Sequence, residues 1–308
     1  MLKPIIQLIT FFILMLSTNY LKSAAGTAVV KPLPEQALID IAYGKDDAQK
    51  MDVYLPANRS KDSTKVLLLI HGGSWANGDK KEFDRYINSL QKFLPHYALV
   101  NINYRLAYAR RNIFPAQLKD IDDAIAFVDR KADEYEINAN EIVLLGASAG
   151  AHLGLLKAYK ENTNHRIRAV IDLFGPNDLS WIYMHHPFSS MSQTLLQNFL
   201  GASYSEDHQL YKNASPINYV TSQSPPTIIL HGGADYVVPL SESKRLQSKL
   251  DSAHVMNELV IYPQGQHGLY NVDTADIFSK IASFLARIEI KSYESLNKGE
   301  GIKTNPRS

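Results

Sequence analysis

The sequence predicts an α/β domain in which parallel strands are covered on both faces by helices. Two observations carry this expectation. First, Val66-Leu67-Leu68-Leu69-Ile70 and Ile142-Val143-Leu144-Leu145 are continuous apolar runs, the pattern of strands buried on both faces rather than half-exposed. Second, such runs alternate with amphipathic segments, as in Leu118, Ile121, Ile125 and Val128, which recur at helical spacing.

The elements follow in order. Residues 1–25 read as an export signal: Lys3 gives a positive start, Ile5 to Leu16 an apolar stretch, and Ser23-Ala24-Ala25 a small-residue cleavage site. The stretch is broken by Gln7 and Thr10 and falls short of the about 20 residues of a membrane span. The expected location is therefore periplasmic or secreted, with membrane contact only through an uncleaved leader. Residues 26–37 form a linker. Leu38 to Tyr43 and Lys50 to Leu55 predict two short antiparallel strands around the turn Gly44-Lys45-Asp46-Asp47. Asp79 to Lys92 predicts a charged surface helix, and Ala98 to Tyr104 a strand. In the helix that follows, Asp120, Asp122 and Asp123 are expected on a solvated face. After the strand Ile167 to Leu173, residues 176–216 lose periodicity and are rich in Trp, Tyr, Met, His and Ser. A connection of that length reads as a lid-like insertion. The pattern resumes with the strand Thr227 to Leu230, the helix Ser241 to Asp251, the strand Glu258 to Tyr262 and a last helix from Thr274 to Ile290. The domain is thus expected over 38–290, with a polar, disordered tail over 291–308.

Composition excludes several classes. With 32 basic and 31 acidic residues, a net charge of +1 gives no footprint for nucleic acid. The absence of cysteine removes disulfides, a thiol nucleophile and thiolate metal sites. The 45% hydrophobic content supplies a sizeable core, and the expected partner is a small molecule.

Chemistry is concentrated at strand ends. Gly146-Ala147-Ser148-Ala149-Gly150 follows a strand and precedes a helix-forming stretch. In such a turn only small flanking residues let the serine hydroxyl stand clear of the neighbouring strand and helix. Upstream, His71-Gly72-Gly73-Ser74-Trp75 also follows a buried strand, and glycines there let backbone N–H groups approach a developing oxyanion. Downstream, His231-Gly232-Gly233-Ala234-Asp235 ends in a carboxylate, and Gly265-Gln266-His267-Gly268 places a histidine in a small loop after the last strand. The order Ser148, Asp235, His267 is the one expected of a hydrolase triad on an α/β sheet. Asp172 and Asp178 are the alternatives for the acid. His71 and His231 are expected to orient their glycine turns, His152 to pack or bond a loop, and His185 and His186 to be unsuited to a metal, because adjacent side chains point apart. Trp75 and Trp181 are candidates for a substrate pocket, or they pack the insertion onto the body.

Together with Asn103-Tyr104-Arg105-Leu106 and Phe114-Pro115-Ala116-Gln117, these motifs resemble the α/β-hydrolase superfamily. The likeness is to its esterase and lipase branch related to hormone-sensitive lipase and to acetyl-xylan and feruloyl esterases. The resemblance implies a doubly wound, mostly parallel sheet of about eight strands, with Ser148 as nucleophile, Asp235 as acid and His267 as base. It further implies oxyanion donors on the N–H groups of Gly73, Ser74 and Ala149, and no cofactor or metal. Many relatives carry a third glycine where this chain has Ser74. The implied activity is hydrolysis of small acyl or aryl esters. Its rivals are amide hydrolysis of the arylformamidase or peptidase type, long-chain lipase activity, and non-catalytic ligand binding on the same fold.

Overall fold

The central strands of the sheet feed two apolar layers by simple alternation, one from each face. In β3 (Lys65–Ile70), Val66, Leu68 and Ile70 face one core, while Leu67 and Leu69 face the other. The computed structural model describes residues 32–297. The signal segment, residues 26–31 of the 26–37 linker and residues 298–308 lie outside the described residues.

Eight strands lie in the order β1-β2-β4-β3-β5-β6-β7-β8. Besides β3 they are β1 (Gln36–Ala42), β2 (Lys50–Leu55), β4 (Tyr97–Ile102), β5 (Ile142–Ala147), β6 (Ile167–Leu173), β7 (Thr227–Gly232) and β8 (Asn257–Tyr262). The pairs β1·β2 and β2·β4 are antiparallel and the rest are parallel. This is the predicted sheet, with its antiparallel edge, and it has the α/β-hydrolase architecture. Against one face pack α1 (Asp84–Phe93) and α8 (Thr274–Asn297). Against the other pack α2 (Ala116–Tyr135), α3 (Ala149–Lys160) and α7 (Leu240–Ser252). Residues 176–216 are mostly helical: α4 (Leu179–His185), α5 (Ser189–Leu200) and α6 (His208–Asn213) join this second layer through Leu179, Phe199 and Tyr211.

Three sequence expectations are corrected. The segment from Asp79 is a short 3-10 turn, Lys80–Phe83, before α1 begins. Lys80 in it is buried, with its ammonium 2.8 Å from carboxylates of both Asp52 and Asp40; burial of this charge requires such partners. Asp120 is not on a solvated face. It lies at the edge of the stripe of Leu118, Ile121 and Ala124, is fully buried, and accepts from the Arg105 guanidinium and from Gln49. Lastly, α8 runs on to Asn297, seven residues into the stretch expected to be disordered, because Lys291 to Asn297 contains neither glycine nor proline to stop a helix.

Candidate active site

Ser148 stands where β5 turns into α3, with φ 51° and ψ −115°. A side-chain-bearing residue held there costs about 1–3 kcal/mol, so the flanks must enforce it. They do: a Cβ on Gly146 would lie 2.4 Å from the Ala151 nitrogen, and one on Gly150 would lie 2.0 Å from the Ile70 carbonyl. The Ser148 N–H donates to the Leu173 carbonyl at 2.8 Å, tying the turn to β6.

His267 comes from the loop after β8, and its Nε2 is 3.1 Å from Ser148 Oγ. Its Nδ1 is 2.8 Å from Asp235 Oδ2. An ionised carboxylate only accepts, so Nδ1 carries the proton and Nε2 presents a lone pair to the serine hydroxyl. Burial alone would raise the Asp235 pKa, yet hydrogen bonds from His231 and His267, with the backbone N–H of Val238, hold it well below the usual carboxylate range. The Asp235 Oδ1 accepts from the N–H groups of Val237 at 2.8 Å and Val238 at 2.9 Å.

Two further histidines brace this turn. His231 Nε2 is 2.9 Å from the Val238 carbonyl and 3.3 Å from Asp235 Oδ2, while Ser243 Oγ lies 2.6 Å from its Nδ1. Nε2 therefore holds the proton and Ser243 donates to Nδ1. His186, from the segment after α4, sits 3.0 Å from the Val237 carbonyl through Nε2 and accepts the Phe188 N–H at Nδ1. Sequence reasoning assigned His231 to its turn but gave His186 no such task. Nothing local marked it, since its partner lies 51 residues away.

The glycine turn after β3 approaches the elbow from the other side. A Cβ on Gly72 would lie 3.1 Å from the Ala147 carbonyl, and Gly73 has φ +99° with no room for a side chain against Asn77. Ser74 and Trp75 also have positive φ, 52° and 61°. Among the described residues the N–H groups of Gly73 and Ser74 have no acceptor. The Ala149 N–H opens α3, where a helix leaves its first donors free. Tyr104, fully buried, holds the turn by donating to the carbonyls of His71 at 3.0 Å and Gly72 at 3.2 Å, and its ring stacks on His71 at 4.3 Å. Burial depresses the His71 pKa to about 4, so this imidazole is neutral near pH 7.

Ser148, His267, Gly72 and Gly73 share a cavity of about 550 Å³ with Phe83, Arg85 and Tyr86 of the first helical segment, and with Ile277 and Phe278 of α8. None of its lining residues comes from 176–216, and neither Trp75 nor Trp181 is among them. Trp75 is buried, stacked on Phe199 at 4.3 Å, and donates to His152 Nδ1 at 3.1 Å. The one ring proton of His152 is then on Nε2, which donates to the Ala214 carbonyl at 2.7 Å. Trp181 lies between His185, at 5.0 Å, and the Arg245 guanidinium, at 5.3 Å. Of the alternative acids, Asp178 caps α4 and pairs with Arg245, and Asp172 accepts only the Gly175 N–H. No group of three metal-ligating side chains occurs among the described residues.

Comparison with known proteins bears on the family and the fold. The chain is 26% identical over 266 residues to esterase LipC of Mycobacterium tuberculosis, an alignment covering 80% of this chain and 64% of that protein. It is 24% identical over 253 residues to the isoprenylcysteine alpha-carbonyl methylesterase ICME of Arabidopsis thaliana, covering 76% and 57%. It therefore spans less than two thirds of the length of these relatives. Among solved structures, a truncated carbohydrate esterase from gut microbiota superposes with a TM-score of 0.70 at 26% identity, over 82% of this chain and 96% of that one. Esterase B from Lactobacillus rhamnosis superposes at 0.69 and 18% identity over 96% and 97%, which supports the fold alone. The BD-FAE family model matches residues 51–250, a span that includes both Ser148 and Asp235. The chain belongs to the BD-FAE family of α/β hydrolases, within their esterase and lipase branch.

Proposed function

We propose that the protein is a serine carboxylesterase that cleaves small acyl or aryl esters through an acyl-enzyme. The single observation that carries this reading is the continuous line from Asp235 through His267 to Ser148 Oγ, at 2.8 and 3.1 Å, ending in a cavity. As the Ser148 hydroxyl attacks an ester carbonyl, His267 Nε2 takes its proton and then returns it to the leaving alcohol. Asp235 keeps the imidazole in the tautomer that accepts at Nε2 and favours the imidazolium that forms. The negative charge on the former carbonyl oxygen is met by the N–H groups of Gly73, Ser74 and Ala149. Because these are backbone donors, the serine at position 74 preserves what a third glycine would supply. Water then attacks the acyl-enzyme by the same sequence, and His267 is again the base.

The test is hydrolysis of p-nitrophenyl esters from acetate to palmitate by the full chain and by Ser148→Ala. Cleavage that falls to background in the variant supports the reading, and the chain-length profile separates carboxylesterase from lipase. Activity that persists in the variant assigns the nucleophile elsewhere. We further propose that residues 1–25 direct export and are removed near Ala25, a reading carried by the sequence pattern. Mass spectrometry of the N-terminus of exported protein checks it, and retention of residues 1–25 counts against it.

A further inference from the structure

The cavity at Ser148 has an apolar wall, made by Phe83, Phe174, Leu269, Ile277 and Phe278, and one cationic group, Arg85. The guanidinium carbon of Arg85 lies 5.6 Å from the ring centroid of Tyr86 and 5.3 Å from that of Tyr270. Tyr270 follows His267 closely, is largely exposed, and folds its ring over Gly268, where a Cβ would lie 2.3 Å from it. Several cations near the sheet are neutralised within the fold: Lys80 by Asp52 and Asp40, Arg105 by Asp120, Arg245 by Asp178. Arg85 is not. Among the described residues no carboxylate lies within 4.0 Å of it, and none of its guanidinium N–H groups has a hydrogen-bond acceptor. Glu82 is on the same wall but on the side of the glycine turn, its Oε1 within 2.9 Å of where a Cβ on Gly78 would stand.

Two aromatic rings hold a guanidinium by its faces and leave its N–H edge unused. That edge is a planar fork matched to a carboxylate, and a carboxylate docked on it makes charge-assisted bonds at the exposed mouth of the cavity. We propose that Arg85, held by Tyr86 and Tyr270, receives a free carboxylate carried by the ester, so that preferred substrates are half-esters or esters with an acidic alcohol part. This rests on the esterase reading above and names the substrate class of that same site.

The experiment compares kcat/KM for matched pairs on the full chain. In the acyl pair, mono-p-nitrophenyl glutarate carries the carboxylate that p-nitrophenyl valerate lacks. In the alcohol pair, 4-acetoxybenzoate carries one that its methyl ester lacks. The expected result is an anionic-to-neutral ratio, in at least one pair, that falls about tenfold or more in Arg85→Leu, the loss of a hydrogen bond to a charged group. Arg85→Lys restores part of that ratio, Glu82→Gln raises it, and added salt lowers it in the wild type. Which pair responds tells whether the acyl or the alcohol part occupies this wall. The rate on the neutral esters reports separately on any disturbance that Tyr270 passes to the histidine loop. Should Arg85→Leu fail to fold, Glu82→Gln and the salt dependence of the wild-type ratio decide. Cleavage of the neutral esters with ratios that neither Arg85, Glu82 nor salt alters overturns the inference while leaving the esterase reading intact. Failure to cleave any of the esters overturns both.

Discussion

The two sides of the site are built on opposite plans. On the side of α1 and α8, the wall near Ser148 is left open, and a cavity of about 550 Å³ reaches its hydroxyl. On the side of the 176–216 insertion, the aromatic side chains are used up on one another: Tyr183 packs on Tyr204 and Tyr211 at 5.3 Å, and Trp75 on Phe199 at 4.3 Å. The insertion reaches the proposed triad through a bond rather than a pocket, from His186 to the Val237 carbonyl beside Asp235. Richness in aromatic residues therefore marks a well-packed region as readily as a binding one; what distinguishes them is whether the rings find partners.

The largest expected effect falls where the two sides meet. Asp235→Asn loses the acceptor that fixes the His267 tautomer, and kcat should fall about ten-thousandfold, measured on a short p-nitrophenyl ester. Trp75→Ala tests whether the insertion side is packing: it should cost about 3–5 kcal/mol of unfolding free energy in denaturant titration, and a loss under about 1 kcal/mol would contradict the packed description. Ile277→Trp fills the open side. The kcat/KM for long acyl or bulky esters should fall about tenfold to a hundredfold, in line with the few kcal/mol a pocket methylene change commands, while acetate hydrolysis changes much less. Trp181→Ala, on the packed side, should leave the chain-length profile in place. The smallest effect is one of pH. Asp172 is fully buried, and desolvation raises its pKa to about 7, with the Gly175 N–H opposing. Since its folded pKa lies above the unfolded one, its stabilising share is complete below about pH 4 and is lost as pH rises through 7. Asp172→Asn should therefore gain in Tm over the wild type between pH 4 and 7, by several °C, and the gain should level off above that.

Much of this site was legible in the chain because its parts obey local rules. The continuous apolar run of β5 ends in a turn whose glycines have no room for a side chain, and Ser148, Asp235 and His267 each follow a strand. The parts that escaped are those decided by partners distant in sequence. Asp120 reads as one more solvated aspartate until Arg105 and Gln49 are seen around it, and Lys80 is hidden within a charged run because its partners lie on β1 and β2. The cation at the cavity needs α1 and the histidine loop brought together before Arg85 and Tyr270 meet. No periodicity in a single segment encodes that meeting.

The most direct test of the account is covalent trapping with a p-nitrophenyl phosphonate ester, followed by peptide mass mapping. The account predicts one phosphonate per chain, carried on Ser148, with labelling abolished by Ser148→Ala and strongly slowed by His267→Ala. Stoichiometric labelling of another residue, or labelling of Ser148 that proceeds at the same rate without His267, would contradict it.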